Sequence, residues 1–192
     1  MDVDGLTFAV ATTAEERVAR RLGLRTERVG VRVANGVPPE SVVSFGLAGA
    51  LHDGLRVGEV LDAIRVVDEH GTTLWHGPPL GVRGAREAVV LASDELVHEA
   101  AERRRLHESS GADAVDMESG TLARSGRLAG VLRAVSDGVE SSVEGVDGTV
   151  HADGRTDVVG LVRWIATRRS NAFRSMKDAM TALRALEKAV AA

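Results

Sequence analysis

Short, continuously apolar runs alternate along this sequence with amphipathic stretches and polar turns. "GLTFAVA" (5–11), "SVVSFGLAGAL" (41–51), "EAVVLAS" (87–93) and "GVLRAVSDG" (130–138) are brief and apolar on both faces, which predicts buried strands. "RVGVRVA" (28–34) alternates as a strand does, and "GEVLDAIRVVDEHG" (58–71) reads as a further strand with its turn. "TTAEERVARRLG" predicts a helix closed by Gly23, and both Thr12 with Glu15 and Thr13 with Glu16 have capping-box spacing. "DELVHEAAERRRLHESSG" predicts a charged surface helix capped by Ser93 or Asp94. "NGVPPE" (35–40) is turn chemistry and "VESSVEGVDGTVHADGR" (139–155) reads as a loop. "TTLWHGPPLGVRGAR" has no dominant period. Two helices are predicted to finish the chain. They are "TDVVGLVRWIATRRS" and the segment 171–192, which carries Phe173, Met176, Met180, Leu183, Leu186 and Val190 down one face.

Buried strands alternating with helices predict an α/β fold with a mixed, mostly parallel twisted sheet flanked by helices, a three-layer sandwich. The length of 192 residues suits a single domain, 1–192, ending in the helix 171–192. In such sheets ligands bind where strands end and the chain turns into the next helix. That rule selects three stretches: Gly46 to Gly49, the run Asp116, Met117 and Glu118, and the pair Ser136 and Asp137.

Composition narrows the chemistry. A net charge of −4 offers no broad basic footprint, so neither nucleic acid nor an anionic membrane is the expected partner. The absence of cysteine excludes thiol nucleophiles, disulfides and cysteine-ligated zinc. The N-terminus begins acidic, unlike a signal peptide, and no apolar run is long enough to span a bilayer, so a cytoplasmic location is the default expectation. The six histidines show no ligand spacing: in "HEAAE" the position one turn after His98 is Glu102. No metal is expected. Neither a dinucleotide fingerprint nor a P-loop is present, so no cofactor is expected. "RRR" (103–105), flanked by Glu102 and Glu108, reads as a solvated face.

Taken together, "SFGLAGAL", "AVDMESG" and "LRAVSDG" resemble strand ends of the purine nucleoside phosphorylase and nucleosidase superfamily. The similarity is greatest to 5′-methylthioadenosine/S-adenosylhomocysteine nucleosidases and to hopanoid-associated phosphorylase-like proteins, and it runs from about residue 41 onward. The resemblance implies that Glu118 holds the ribose hydroxyls and Met117 packs on the sugar. An ionised carboxylate can accept from neighbouring 2′ and 3′ hydroxyls at once; Glu118 also fits a plain acidic residue in a first helical turn. Asp137 would be the general acid, ending an R-x-x-S-D strand that here supplies Arg133 and Ser136. A proton delivered to or shared with N7 makes the departing purine a neutral leaving group; an ordinary Asp-Gly turn is the competing reading. Glu15, or the adjacent Glu16, would orient the attacking water, although the capping boxes account for both structurally. Gly46 and Ala48 would line the glycine loop.

Two departures from the resemblance concern the nucleophile. The position after Gly46, usually a hydroxyl residue in the superfamily, is Leu47, which has no side-chain donor. The superfamily's glycine-rich turn and helix between the second and third strands is reduced to "NGVPPE". Six residues cannot carry a parallel crossover, so "RVGVRVA" and "SVVSFG" are antiparallel, not neighbours, or otherwise rearranged. Phosphate needs several donors, whereas hydrolysis needs one oriented water. The expected activity is therefore hydrolysis, and the resemblance implies a homo-oligomer acting on an adenosyl-type purine nucleoside. A phosphorylase, or a nucleoside-binding module without turnover, is the alternative. No aromatic residue lies between 94 and 116 to stack on a base, leaving Phe45, Trp75 or Trp164 as distant candidates.

Overall fold

The computed structural model describes residues 5–141, 152–154 and 169–192. Its elements in chain order are β1 (Thr7–Val10), α1 (Thr13–Arg21), β2 (Arg25–Arg28), a 3-10 turn (Val31–Val33), β3 (Val42–Ala50), β4 (Val60–Val67), β5 (Thr73–His76) and β6 (Arg86–Ala92). They continue as α2 (Ala100–Ser110), β7 (Ala114–Asp116), α3 (Ser119–Arg124), β8 (Leu128–Asp137) and α4 (Arg169–Val190). The predicted segment 156–170 lies outside the described residues except for its last two positions, which begin α4.

The sheet is mixed and curls on itself. β1 pairs in parallel with β2 on one side and β3 on the other. β3 is parallel to β8 along its length, and its end turns to pair antiparallel with β7. β7, β6 and β4 follow in parallel, and β4 returns antiparallel to β8, closing a ring of β3, β7, β6, β4 and β8. β5 is appended to β4 as an antiparallel edge.

Alternate residues of the central strands are buried in opposite directions, and this produces the layers. Phe8, Val10, Val43, Phe45 and Leu132 pack with Val18 and Ala19 of α1 and Ala182 and Leu186 of α4. Ala9, Val42, Val66, Val90 and Val131 pack with Leu122 and Ala123 of α3 on the other face. Burial of both faces explains why these strands read as unbroken apolar runs. The expected three-layer α/β arrangement is present. Among the described residues no helix is long and apolar enough to cross a membrane.

Two sequence expectations are corrected. Residues 28–34 are not a strand: the pairing segment is Arg25–Arg28, and Val31–Val33 form a 3-10 turn in which Arg32 and Val33 have φ of 55° and 60°. β2 and β3 are therefore not neighbours; both flank β1 and run parallel to it, so "NGVPPE" carries no crossover between adjacent strands. The helix expected from Asp94 begins at Ala100, and Glu99 occupies the N-cap position without a side-chain cap. Residues 95–97 line the site described next.

Candidate active site

At the carboxyl ends of β1, β3, β7 and β8 lies a cleft of about 490 Å³, within the range of small-molecule sites. Its polar lining includes Glu15, Asp116, Glu118, Ser136 and Asp137, and its apolar lining includes Val31, Leu47, Leu96, Val97, Val115 and Met117. Glu118 and Asp137 therefore face one cavity. Of the residues selected from sequence, Glu15, Ala48, Met117, Glu118, Ser136 and Asp137 line it. Gly46 and Arg133 stand behind its wall.

The run Asp116, Met117 and Glu118 divides its labour. Asp116, at the end of β7, accepts from the Ser119 amide (3.1 Å) and the Ser119 hydroxyl, so it caps α3 from outside the helix. It also pairs with Arg133. Met117 and Glu118 then turn into the cleft. Glu118 Oε2 is 3.4 Å from Arg133 Nη2, while Oε1 accepts the Arg32 N–H at 3.2 Å. The strained backbone of Arg32 and Val33, unusual for non-glycine residues, is the conformation in which that amide reaches Glu118.

Arg133 reaches these carboxylates from β8 and is only 1% exposed. Its Nη2 donates to Ser44 Oγ at 2.7 Å. Burial alone would lower its pKa, but the carboxylates of Asp116, Glu118 and Glu15 hold it above the ordinary value. Burial also lifts the Glu118 carboxyl from an ordinary 4.5 to about 7; Arg133 opposes this, while Asp116 and Glu15 add to it. One guanidinium thus serves several acids, and it does not cancel the burial of Glu118.

Glu15 is brought to the cleft by the capping box of α1, the Thr12 member of the two predicted pairs. Its Oε2 accepts from the amides of Ala11 (3.0 Å) and Thr12 (2.8 Å) and from the Thr12 hydroxyl (3.0 Å). Oε1 accepts the Leu47 N–H at 3.0 Å. Leu47 thus contributes its backbone, which its side chain had concealed. Each carboxylate oxygen carries two acceptor sites, so Oε1 keeps one for a further donor. Glu16 instead pairs with Arg20 at 2.7 Å and Arg28 at 3.5 Å. Gly46 is required by proximity, because a Cβ there would stand 2.1 Å from Glu15 Oε1 and 2.8 Å from Arg133 Nη1.

At the opposite end, Asp137 Oδ1 accepts the Ser136 hydroxyl at 2.6 Å. Asp137 Oδ2 is buried 2.6 Å from Arg103 Nη2, an ion pair not aligned as a hydrogen bond. The solvated "RRR" reading holds for Arg104 and Arg105, whose side chains are 42% and 62% exposed, and fails for Arg103, at 1%. Arg103, Leu96 and Val97 line the cleft and were not singled out by the sequence pattern. Phe45 is fully buried edge-on to Phe8 and Trp75 packs elsewhere, so neither supplies a base platform; Trp164 lies outside the described residues. The apolar wall in their stead includes Leu96 and Val97.

No protein-family model and no curated protein matches the sequence. Solved structures do. The 5′-methylthioadenosine/S-adenosylhomocysteine nucleosidase of Helicobacter pylori with butyl-thio-DADMe-Immucillin-A is 16% identical, covering 96% of this chain and 97% of that one, with a TM-score of 0.57. The chain shares the fold of that structure. Futalosine hydrolase of Helicobacter pylori (14% identity, 91% and 96% coverage, TM-score 0.55) shares it. So does the Neisseria meningitidis methylthioadenosine/S-adenosylhomocysteine nucleosidase in complex with methylthio-immucillin-A (17%, 92% and 98%, TM-score 0.54).

Proposed function

We propose that the protein hydrolyses the N-glycosidic bond of an adenosyl-type purine nucleoside. The observation carrying this reading is that Glu118, Asp137 and Glu15, from three separate chain segments, face one cleft. Glu118 accepts from the ribose hydroxyls and Met117 packs on the sugar. Asp137 Oδ1, oriented by the Ser136 hydroxyl, meets N7 of the base and delivers or shares the proton that neutralises the leaving purine. Glu15 Oε1, with one acceptor site open, orients the water that attacks the anomeric carbon. Cleavage passes through an oxocarbenium-like transition state, and the carboxylates around the sugar stabilise its positive charge.

Water is favoured over phosphate by the cations available. Arg103 donates to backbone carbonyls, and Arg133 is sequestered behind the carboxylates. Among the described residues Arg32 is the remaining lining arginine, too few donors for a phosphate dianion beside buried acids. The apolar lining at Val31, Ala34 and Met117 suits an uncharged 5′ alkyl or thioalkyl group. The adenosyl preference draws on the likeness to nucleosidases crystallised with adenosine-type analogues. An assay of purine release from methylthioadenosine, with and without phosphate, tests the reading. Equal release in both supports hydrolysis; phosphate-dependent release identifies a phosphorylase; saturable binding without release identifies a binding module.

A further inference from the structure

Arg103 is buried in a region where a cation is expensive unless fully partnered. Its Nε and Nη2 donate to the Val97 carbonyl at 3.0 and 2.8 Å, and its Nη1 donates to the carbonyls of Ala50 (3.2 Å) and Gly138 (3.1 Å). A guanidinium has five N–H groups. Four are engaged by these carbonyls, and the remaining one lies on the side of Asp137 Oδ2. No donor is left for a ligand, so Arg103 does not bind the base itself.

What it joins is informative. Ala50 ends β3, Gly138 follows β8, and Val97 belongs to the segment before α2 that supplies the apolar wall. One side chain thus sets the distance between the apolar face offered to a base, Leu96 and Val97, and the polar edge offered to it, Asp137. It also fixes which carboxylate oxygen faces the ligand: Oδ2 is buried, leaving Oδ1 for the cleft. Gly49 leaves room for the pair, because a Cβ there would stand 3.0 Å from Asp137 Oδ2 and 3.4 Å from Arg103 Nη1.

We propose that Arg103 is a positioning residue that acts through Asp137: it locks the carboxylate with Oδ1 toward the leaving base and holds the Leu96–Val97 wall at the matching distance. The proposal rests on the nucleosidase reading for its kinetic consequence, but not for its geometric one.

The test is a double-mutant cycle on purine release, using Arg103→Met, Arg103→Lys, Asp137→Asn and the two combinations. Misplacing a catalytic group by about 1 Å costs on the order of 100-fold. Arg103→Met is expected to lower kcat by roughly 10- to 100-fold with KM changed less than about threefold. Arg103→Lys, which keeps the charge but not the fork, is expected to recover part of the loss. In the Asp137→Asn background, Arg103→Met should add less than about threefold, because the group it positions is already gone. An undiminished kcat in Arg103→Met, or an equal loss in both backgrounds, overturns the proposal. If Arg103→Met does not fold, the cycle is run with Arg103→Lys. If the wild-type chain releases no purine from any nucleoside, the nucleosidase reading fails, and a crystal structure of the Arg103 variant then decides the geometric claim. An Asp137 carboxylate turned from its place supports it, and an unmoved one overturns it.

Discussion

Arg133 Nη2 stands 3.4 Å from Glu118 Oε2 across a sequence separation of 15 residues, and both are almost wholly buried. The guanidinium does not fully offset the burial of Glu118, whose pKa is lifted to about 7. The consequence for substrate follows from hydrogen-bond direction. Ribose hydroxyls donate, so they favour the ionised carboxylate. We expect kcat/KM to rise with pH through about 7, and the Glu118→Gln variant to lose that limb along with most activity; a pH profile of both proteins checks it.

The same group links pH to folding. Its folded pKa lies above its unfolded value near 4.5, so between those values the folded state binds more protons than the unfolded state. Its contribution to stability is therefore present at acidic pH and is lost as pH rises from about 4.5 to about 7, by up to roughly 3 kcal/mol. Denaturation of Glu118→Gln against wild type should show the variant gaining relative stability across this window and no further above it. A difference constant with pH contradicts the assignment.

Glu15 is held by four donors, three of them backbone amides. Glutamine matches its shape but turns an NH₂ group toward donors, so the usually mild Glu15→Gln change is expected to destabilise the fold by about 1–3 kcal/mol. On the proposed mechanism it also removes turnover, because the oxygen assigned to orient the water is lost. Urea denaturation and purine release measure the two effects separately.

Gly46→Ala would drive a methyl group into Glu15 Oε1, 2.1 Å from the ideal Cβ position, with Arg133 on its other side. Neither neighbour can withdraw without breaking buried hydrogen bonds. We expect a loss of about 1–3 kcal/mol and a fall in activity exceeding that of Ala48→Gly, which touches no carboxylate. Equal stability of Gly46→Ala and wild type would show that Glu15 is free to move.

Much of this was visible in the sequence, for a physical reason. The strands β1, β3, β6 and β8 are buried on both faces and so appear as unbroken apolar runs, and the rule that ligands sit at strand ends then pointed to Glu118 and Asp137. Residues 28–34 misled because Val29, Val31 and Val33 alternate, yet Val29 and Val33 are buried by a left-handed turn that brings the Arg32 amide to Glu118. The true strand, Arg25–Arg28, is a half-exposed edge with no apolar alternation to reveal it. α2 starts late because residues 95–97 line the cleft instead of extending the helix. Arg103 was hidden among three consecutive arginines, since only tertiary contact separates a solvated cation from one clasped by carbonyls of Ala50, Val97 and Gly138.

The most direct measurement is a crystal structure with a non-hydrolysable methylthioadenosine analogue. We expect its ribose hydroxyls on Glu118, its sugar against Met117, and the base edge on Asp137 Oδ1 between Ser136 and the Leu96–Val97 wall. An analogue bound elsewhere, or lying in the cleft with its sugar away from Glu118, would contradict the account.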